Sequence, residues 1–142
     1  MDKRIEVGVA EDMQLGIAIG LAYAGKLPVC IFPRMDFLLC ATNQLVNHLD
    51  KYPVRVIIRT CVGSRTPLDP GLQHRGDYVA GLRALLNQEH SHIRVVDLRQ
   101  ASDIQRSYIY AAGVKRDRPA EACGSFQTAS IMVERGELYG TD

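Results

Sequence analysis

The stretch Glu11-Asp12-Met13-Gln14-Leu15-Gly16-Ile17-Ala18-Ile19-Gly20-Leu21-Ala22-Tyr23-Ala24-Gly25, followed by Leu27-Pro28-Val29-Cys30-Ile31-Phe32, decides the fold. Leu15, Ala18, Ile19, Ala22 and Tyr23 recur at helical spacing, which predicts a helix over Glu11 to Ala24. Gly25 suits its end, because glycine enters the left-handed conformation without a Cβ clash. Leu27 to Phe32 is a short apolar run of the kind that forms a strand buried on both faces.

The same alternation continues outward. Ile5 to Val9 is a short apolar stretch ahead of the first helix. Asp36 to Leu49 reads as a second helix, with Leu38, Leu39, Thr42, Leu45, Val46 and Leu49 on one side. Val54 to Arg59 reads as a strand. Thr60 to Asp77 is a loop punctuated by Gly63, Pro67, Pro70, Gly71 and Gly76. Tyr78 to Asn87 is a third helix, Ile93 to Leu98 a strand, and Ala101 to Ala112 a fourth helix. A polar, irregular tail runs over Val114 to Ala129, and Ser130 to Val133 is a last strand. Short apolar strands between helices predict a three-layer α/β fold, with a mostly parallel sheet covered on both faces. Ligands of such sheets gather at the carboxyl ends of strands. Those ends place attention on Glu11, on 34–37 and on loop 60–77, which far exceeds the usual two to six or so residues.

Composition narrows the function classes. The chain has 142 residues, enough for one domain, and 46% are apolar, enough for a core. Its net charge of +1 gives no ground for nucleic-acid or membrane-surface binding. No apolar run reaches the roughly 18 residues of a membrane span, and the N-terminus lacks a signal peptide's apolar stretch. Of the four cysteines, Cys30, Cys40, Cys61 and Cys123, none forms a C-x-x-C pair. Small buried hydrophobes are expected, with no metal site, in a reducing cytoplasm. Neither G-x-G-x-x-G nor a P-loop supports a nucleotide-binding domain.

The residues Gly8-Val9-Ala10-Glu11, with the Gly- and Ala-rich helix after them, resemble the pyrimidine-binding domain of the transketolase and 2-oxo acid dehydrogenase group of thiamine diphosphate enzymes. Pro28-Val29-Cys30-Ile31-Phe32 resembles that domain's next strand. Asp36-Phe37-Leu38-Leu39-Cys40-Ala41-Thr42-Asn43-Gln44-Leu45-Val46-Asn47 resembles the following helix of the dehydrogenase beta chain, with its Asp-Phe start and its Gln-x-x-Asn. The Lys51-Tyr52 pair fits as well. The resemblance runs from about residue 4 to residue 100, and more loosely to 140.

The resemblance implies a role for each matched residue. Glu11 would hydrogen-bond a ring nitrogen of the cofactor's aminopyrimidine. That contact favours the imino form, whose nitrogen is a base beside the thiazolium carbon that must lose a proton. The plainer role for Glu11 is a carboxylate at a helix N-terminus, which Asp12 suits better. Phe37 would pack on the pyrimidine, or simply in the core. Arg34 stands among the cofactor-binding positions where the family often has an aromatic, a departure that unsettles the stacking surface or marks a charged substrate. His74, in Gly71-Leu72-Gln73-His74-Arg75-Gly76-Asp77, matches a loop histidine that handles protons or steadies the reacting substrate; a solvated loop histidine is the plainer reading. Arg75, and Arg65 beside it, could hold a carboxylate or phosphate of the substrate. His48, His90 and His92 receive no role.

Part of the family pattern is missing. Gly76-Asp77 is followed by Tyr78, not by the Gly of the Gly-Asp-Gly motif that holds diphosphate and magnesium, and the asparagines that should follow are absent. The expectation is a single pyrimidine-binding domain over 1–142, with no diphosphate-binding domain and no C-terminal transketolase domain. Only Met1-Asp2-Lys3 precede the match, so the family's first helix and strand would be lacking here or supplied elsewhere. The resemblance thus implies one part of a split enzyme, a dehydrogenase beta-chain-like or transketolase-like transferase or oxidoreductase. It would share thiamine diphosphate with a partner chain that binds Mg2+, within a hetero- or homo-oligomer. A truncated, non-catalytic scaffold is the alternative.

Overall fold

The computed structural model describes residues 3–52, 54–66, 68–87, 90–113 and 129–139. In chain order the elements are α1 (Glu11–Tyr23), β1 (Val29–Ile31), α2 (Met35–Cys40), a π-helical segment (Gln44–Leu49), β2 (Val56–Val62), a 3-10 turn (Leu72–His74), α3 (Val79–Leu85), β3 (Ile93–Leu98), α4 (Ala101–Ala111), β4 (Ala129–Arg135) and a 3-10 turn (Gly136–Tyr139). The sheet has four strands in the order β1-β2-β4-β3, all parallel. The α/β class and the parallel sheet are as the sequence predicts. Cys123 and most of the expected tail lie outside the described residues.

The two faces carry different side chains because strand residues alternate. Val56, Ile58 and Val62 of β2, Ile93 and Val95 of β3, and Ile131 and Val133 of β4 join one core with Leu15, Ala18, Ile19, Leu38, Leu45, Leu49, Val79, Leu82 and Leu86. Thus α1, α2, the π-helical segment and α3 lie on one face. The opposite face buries Ile57, Leu98 and Met132 under Ile104, Tyr108, Ala111 and Ala112 of α4 and the residue after it. Right-handed crossovers explain the split. The chain steps from β1 to β2 and over to β3 in one direction, then returns to β4, so α4 must cross on the other side. The registers align Ile58, Ile131 and Val95 across the centre. A fully buried side chain of this size contributes about 1.5–3 kcal/mol.

Several boundaries differ from the sequence expectation. The single helix over 36–49 is two pieces. The Thr42 hydroxyl donates to the Leu39 carbonyl, drawing a donor into the turn where the ladder should continue. Asp50 N–H then bonds Leu45 O at 2.9 Å, a five-residue step that widens the turn. The result points both Leu45 and Leu49 inward. Strand β2 runs on to Val62, and β4 runs on through Glu134 and Arg135. The polar ends of β4 are held by partners far away in sequence. Ile5 to Val9 forms no strand, and Val9 is 97% exposed. The outer face of β1 is also open, with Val29 and Ile31 about half exposed.

Candidate functional site

The N-terminus of α1 is fixed to the carboxyl end of β1. Gln14 Nε2 donates to Ile31 O at 2.8 Å, across the gap between helix and strand end. Glu11 lies one turn before Gln14 and so stands at the carboxyl edge of the sheet. Its neighbour Asp12 is tied down: Gln44 Nε2 donates to Asp12 Oδ2 at 3.1 Å. A Cβ at Gly16 would meet the Gln44 side chain only at an ordinary contact distance of 3.8 Å, so the strut does not depend on that glycine. Glu11 is half-buried, and its carboxylate forms no hydrogen bond or ion pair among the described residues. Gln44, the first residue of the Gln-x-x-Asn element, therefore braces α1. Asn47, the last, accepts from Lys51 Nζ at 3.2 Å and donates to Asn43 at 2.9 Å.

The structure brings Phe37 and His74 together. Their ring centroids are 5.5 Å apart, with planes tilted by 31°. Phe37 is on α2, directly after β1, and His74 ends the 3-10 turn within the loop. Three local devices bring the loop back. Gly71 adopts φ +84°, open to glycine, and its N–H bonds Asp69 Oδ1 at 2.8 Å. Gly63, just past β2, passes so close that a Cβ would lie 2.2 Å from the His74 carbonyl oxygen. Tyr78 donates to Asp36 Oδ1 at 3.2 Å, which latches the loop's far end to α2. That bond and the carboxylate's charge raise the Tyr78 hydroxyl's pKa above its ordinary value. His74 Nδ1 is buried with no hydrogen-bond partner among the described residues.

Arg75 turns from the rings towards Asp69, with Nε 3.4 Å from Oδ1. It lines a cavity of about 550 Å³ with Gly63, Ser64, Arg65 and Thr66. Arg34 enters a second cavity of about 350 Å³, which also holds Arg59, Thr60, Cys61 and Ser64. The candidates therefore form a Phe37–His74 pair, an adjoining Arg75 pocket and a separate Arg34 pocket. Glu11 has no hydrogen bond to any of them.

Two ion-pair groups near the strand ends were not legible in the sequence. Glu134, 3% exposed, accepts from Arg59 Nε at 3.0 and 3.1 Å, from Arg59 Nη2 at 2.7 Å, and from Tyr108 at 2.8 Å. Burial, then the bond to Glu134, pushes the Tyr108 hydroxyl up. Arg135 grips Asp97 at 2.7 Å through two nitrogens and reaches Asp77 at 2.5 Å. The Arg135 bond holds the Asp97 carboxyl below its ordinary range against the effect of burial. At Asp77, burial raises the carboxyl, but the Arg135 and Val79 N–H bonds outweigh it and leave it lowered. The acidic residue of Gly76-Asp77 is thus a clasp between the loop and β4. Among the described residues no group of three or more His, Cys, Asp or Glu is placed to hold a metal ion.

The cysteines divide. Cys30 is buried, and its thiol is pushed up to about 11 by burial, with the Gln14 amide opposing. Cys61 is half-buried and likewise raised by burial, against the opposing pull of Arg34. Cys40 is exposed at the end of α2, so it is not the small buried hydrophobe expected. Its segment is apolar, but it falls on the outward side of the helix.

No protein-family model matches the chain. Among curated proteins it is similar to the mitochondrial pyruvate dehydrogenase E1 component subunit beta of Caenorhabditis elegans, with 31% identity over 88 residues. That alignment covers 56% of this chain and 24% of the other, so the chain matches about a quarter of its relative's length.

Proposed function

We propose that this chain presents Glu11 to the aminopyrimidine of thiamine diphosphate, in a site that a second chain completes by holding the diphosphate and Mg2+. The reading rests most on one observation. Of two adjacent carboxylates at the strand ends, Asp12 is engaged by Gln44, while Glu11 is left without a partner among the described residues. A half-buried, unpaired carboxylate is suited to bind a ring nitrogen that bears, or can receive, a proton. The similarity to a dehydrogenase E1 beta subunit supports the same assignment.

The residues at hand fit the pyrimidine end of the cofactor. Glu11 offers an acceptor that no described residue uses. Phe37 and His74 offer a paired aromatic wall. Among the described residues the diphosphate end has no such set, since Asp77 is taken by Arg135. When bound, the cofactor supplies a carbon nucleophile for cleaving a carbon–carbon bond beside a carbonyl. In this reading Glu11 holds the proton at the ring nitrogen, Phe37 excludes water, and His74 moves or holds a proton at the substrate. The substrate is a 2-oxo acid or a ketose phosphate, with Arg75 on its anionic part.

The test uses the complex isolated from the source cells through a tag on this chain. Glu11→Gln should leave assembly intact and reduce turnover by about 10²-fold or more, the scale of a positioned acid or base. Near-normal turnover in that variant would remove Glu11 from the mechanism and favour a scaffold.

A further inference from the structure

The Arg34 pocket asks for a ligand. Arg34 Nη1 donates to the Pro33 carbonyl at 2.7 Å. Its Nε is buried without a partner, and no carboxylate pairs with the guanidinium among the described residues. An arginine stays protonated inside a protein. A partly buried cation without a counter-charge is costly, and proteins pair such groups or lose them. The Thr60 hydroxyl oxygen, in the same cavity, is also buried and unpaired. The other cation in that cavity, Arg59, is already committed to Glu134.

The surroundings favour negative charge. The cavity of about 350 Å³ shares Gly63 and Ser64 with the neighbouring one of about 550 Å³, which adds Arg65 and Arg75. Among the described residues, no aspartate or glutamate lines either space. This is a concentration of cations in a chain whose net charge is only +1. Both cavities open at the carboxyl ends of β1 and β2, where parallel sheets bind ligands. The 350 Å³ space exceeds what a single carboxylate or phosphate group needs.

We propose that the Arg34–Thr60 pocket binds an anionic group, a carboxylate or a phosphate, with Arg34 as its fork-shaped donor and Thr60 as its second donor. Calling the bearer of that group the substrate rests on the function proposed above; the binding itself does not. The substrate would then be an acid with a second anionic group, or a phosphorylated one. A planar guanidinium matches either by paired N–H bonds.

The experiment titrates the isotope-labelled full chain with inorganic phosphate and, separately, malonate, reading the arginine Nε–H and the Gly63 and Ser64 amides by NMR. Saturable shifts of Arg34 Nε–H and Gly63 support the site. Saturation by phosphate alone identifies a phosphoryl ligand, and saturation by malonate alone a carboxylate. Arg34→Met should weaken binding by about tenfold or more, the scale of a lost charge-assisted hydrogen bond. If that variant fails to fold, Thr60→Val provides the same comparison, with weakening of several-fold expected. No saturation with either anion at millimolar concentrations overturns the proposal, as does unchanged affinity in the folded variants. Glu11→Gln should leave this titration unaltered, so failure here and failure of the cofactor assignment are distinguishable.

Discussion

Gly63→Ala is the most informative single change to the loop. The added Cβ would meet the His74 carbonyl oxygen at 2.2 Å and Pro70 Cγ at 2.9 Å. The first contact is with backbone, so no side-chain rotation relieves it. Either β2 must shift at Val62, which is buried, or the 72–74 turn must lift. Forced overpacking of this kind costs about 1–3 kcal/mol. The lift would carry His74 away from Phe37, because the ring hangs from the displaced residue. Gly20→Ala is the internal control. It lies in α1 with nothing within 4 Å of the added Cβ, so it should stabilise by about 0.5–1 kcal/mol through helix propensity. Urea unfolding measures both. The Phe37–His74 cross-peak, at a centroid distance of 5.5 Å in the parent, measures the lift. A Gly63→Ala protein with parental stability and an intact cross-peak would refute the loop account, and with it the positioning of His74.

Two further changes follow from the charged and thiol groups. Asp97 and Asp77 both sit below the ordinary 3.8 of their type, held there by Arg135. A lowered folded pKa contributes stability above the unfolded value and loses it as pH falls through the folded one. Arg135→Met should therefore destabilise at neutral pH, by about 1.5–3 kcal/mol for lost charge-assisted hydrogen bonds in a partly buried cluster, and flatten the decline below about pH 4, as read by urea unfolding across pH; an unchanged acid limb would contradict this. Among Cys30, Cys40 and Cys61, a thiol reagent at mildly alkaline pH should label Cys40 first, and Cys30 only on unfolding, because burial raises its thiol to about 11. Early labelling of Cys30, resolved by peptide mapping, would contradict the packing of α1 on β1.

The elements legible in the sequence are those whose signals are local. The apolar spacing over 11–24 and the stop at Gly25 are read within one helix, and the structure has a helix at Glu11–Tyr23. Where partners are distant, legibility fails. Glu134 and Arg135 look like solvent residues after a short strand. They extend β4 because Arg59, 75 residues away, and Asp97, 38 away, neutralise them. The split of the second helix was hidden because Thr42 reads as a face residue until its hydroxyl is seen on Leu39. The sequence offers Phe37 and His74 as site candidates one by one, but their contact depends on the closeness of Gly63 to the returning loop, and no spacing rule conveys that. The resemblance places Arg34 among the cofactor-binding positions. Its guanidinium enters a pocket with Thr60 and Cys61 and donates to Pro33 O, a placement no spacing rule conveys.

The residues that carry the resemblance divide into those that brace and one that is left open. Gln44 braces Asp12, Asn47 links Asn43 to Lys51, and Asp36 receives Tyr78. Each has a structural reason to be where it is. Glu11 does not share that reason. As a helix N-terminal carboxylate it would contribute about 0.3–1 kcal/mol, and Asp12, one residue on, already supplies that interaction while also bonding Gln44. Partial burial of an unpaired carboxylate offsets some of the gain. A chain serving only as a scaffold would lose little by replacing Glu11 with an uncharged residue, whereas a chain that must accept a hydrogen bond from an incoming ring needs a carboxylate that its own fold has not used. Arg34 is the cationic counterpart of Glu11. Among the described residues, Glu11 and Arg34 are left without an ion-pair partner at the carboxyl ends of the sheet, beside two side chains of the same charges, Asp12 and Arg59, that have partners. Fold stability explains the engaged pair; the proposed cofactor and anion contacts would give the other two a reason to be there.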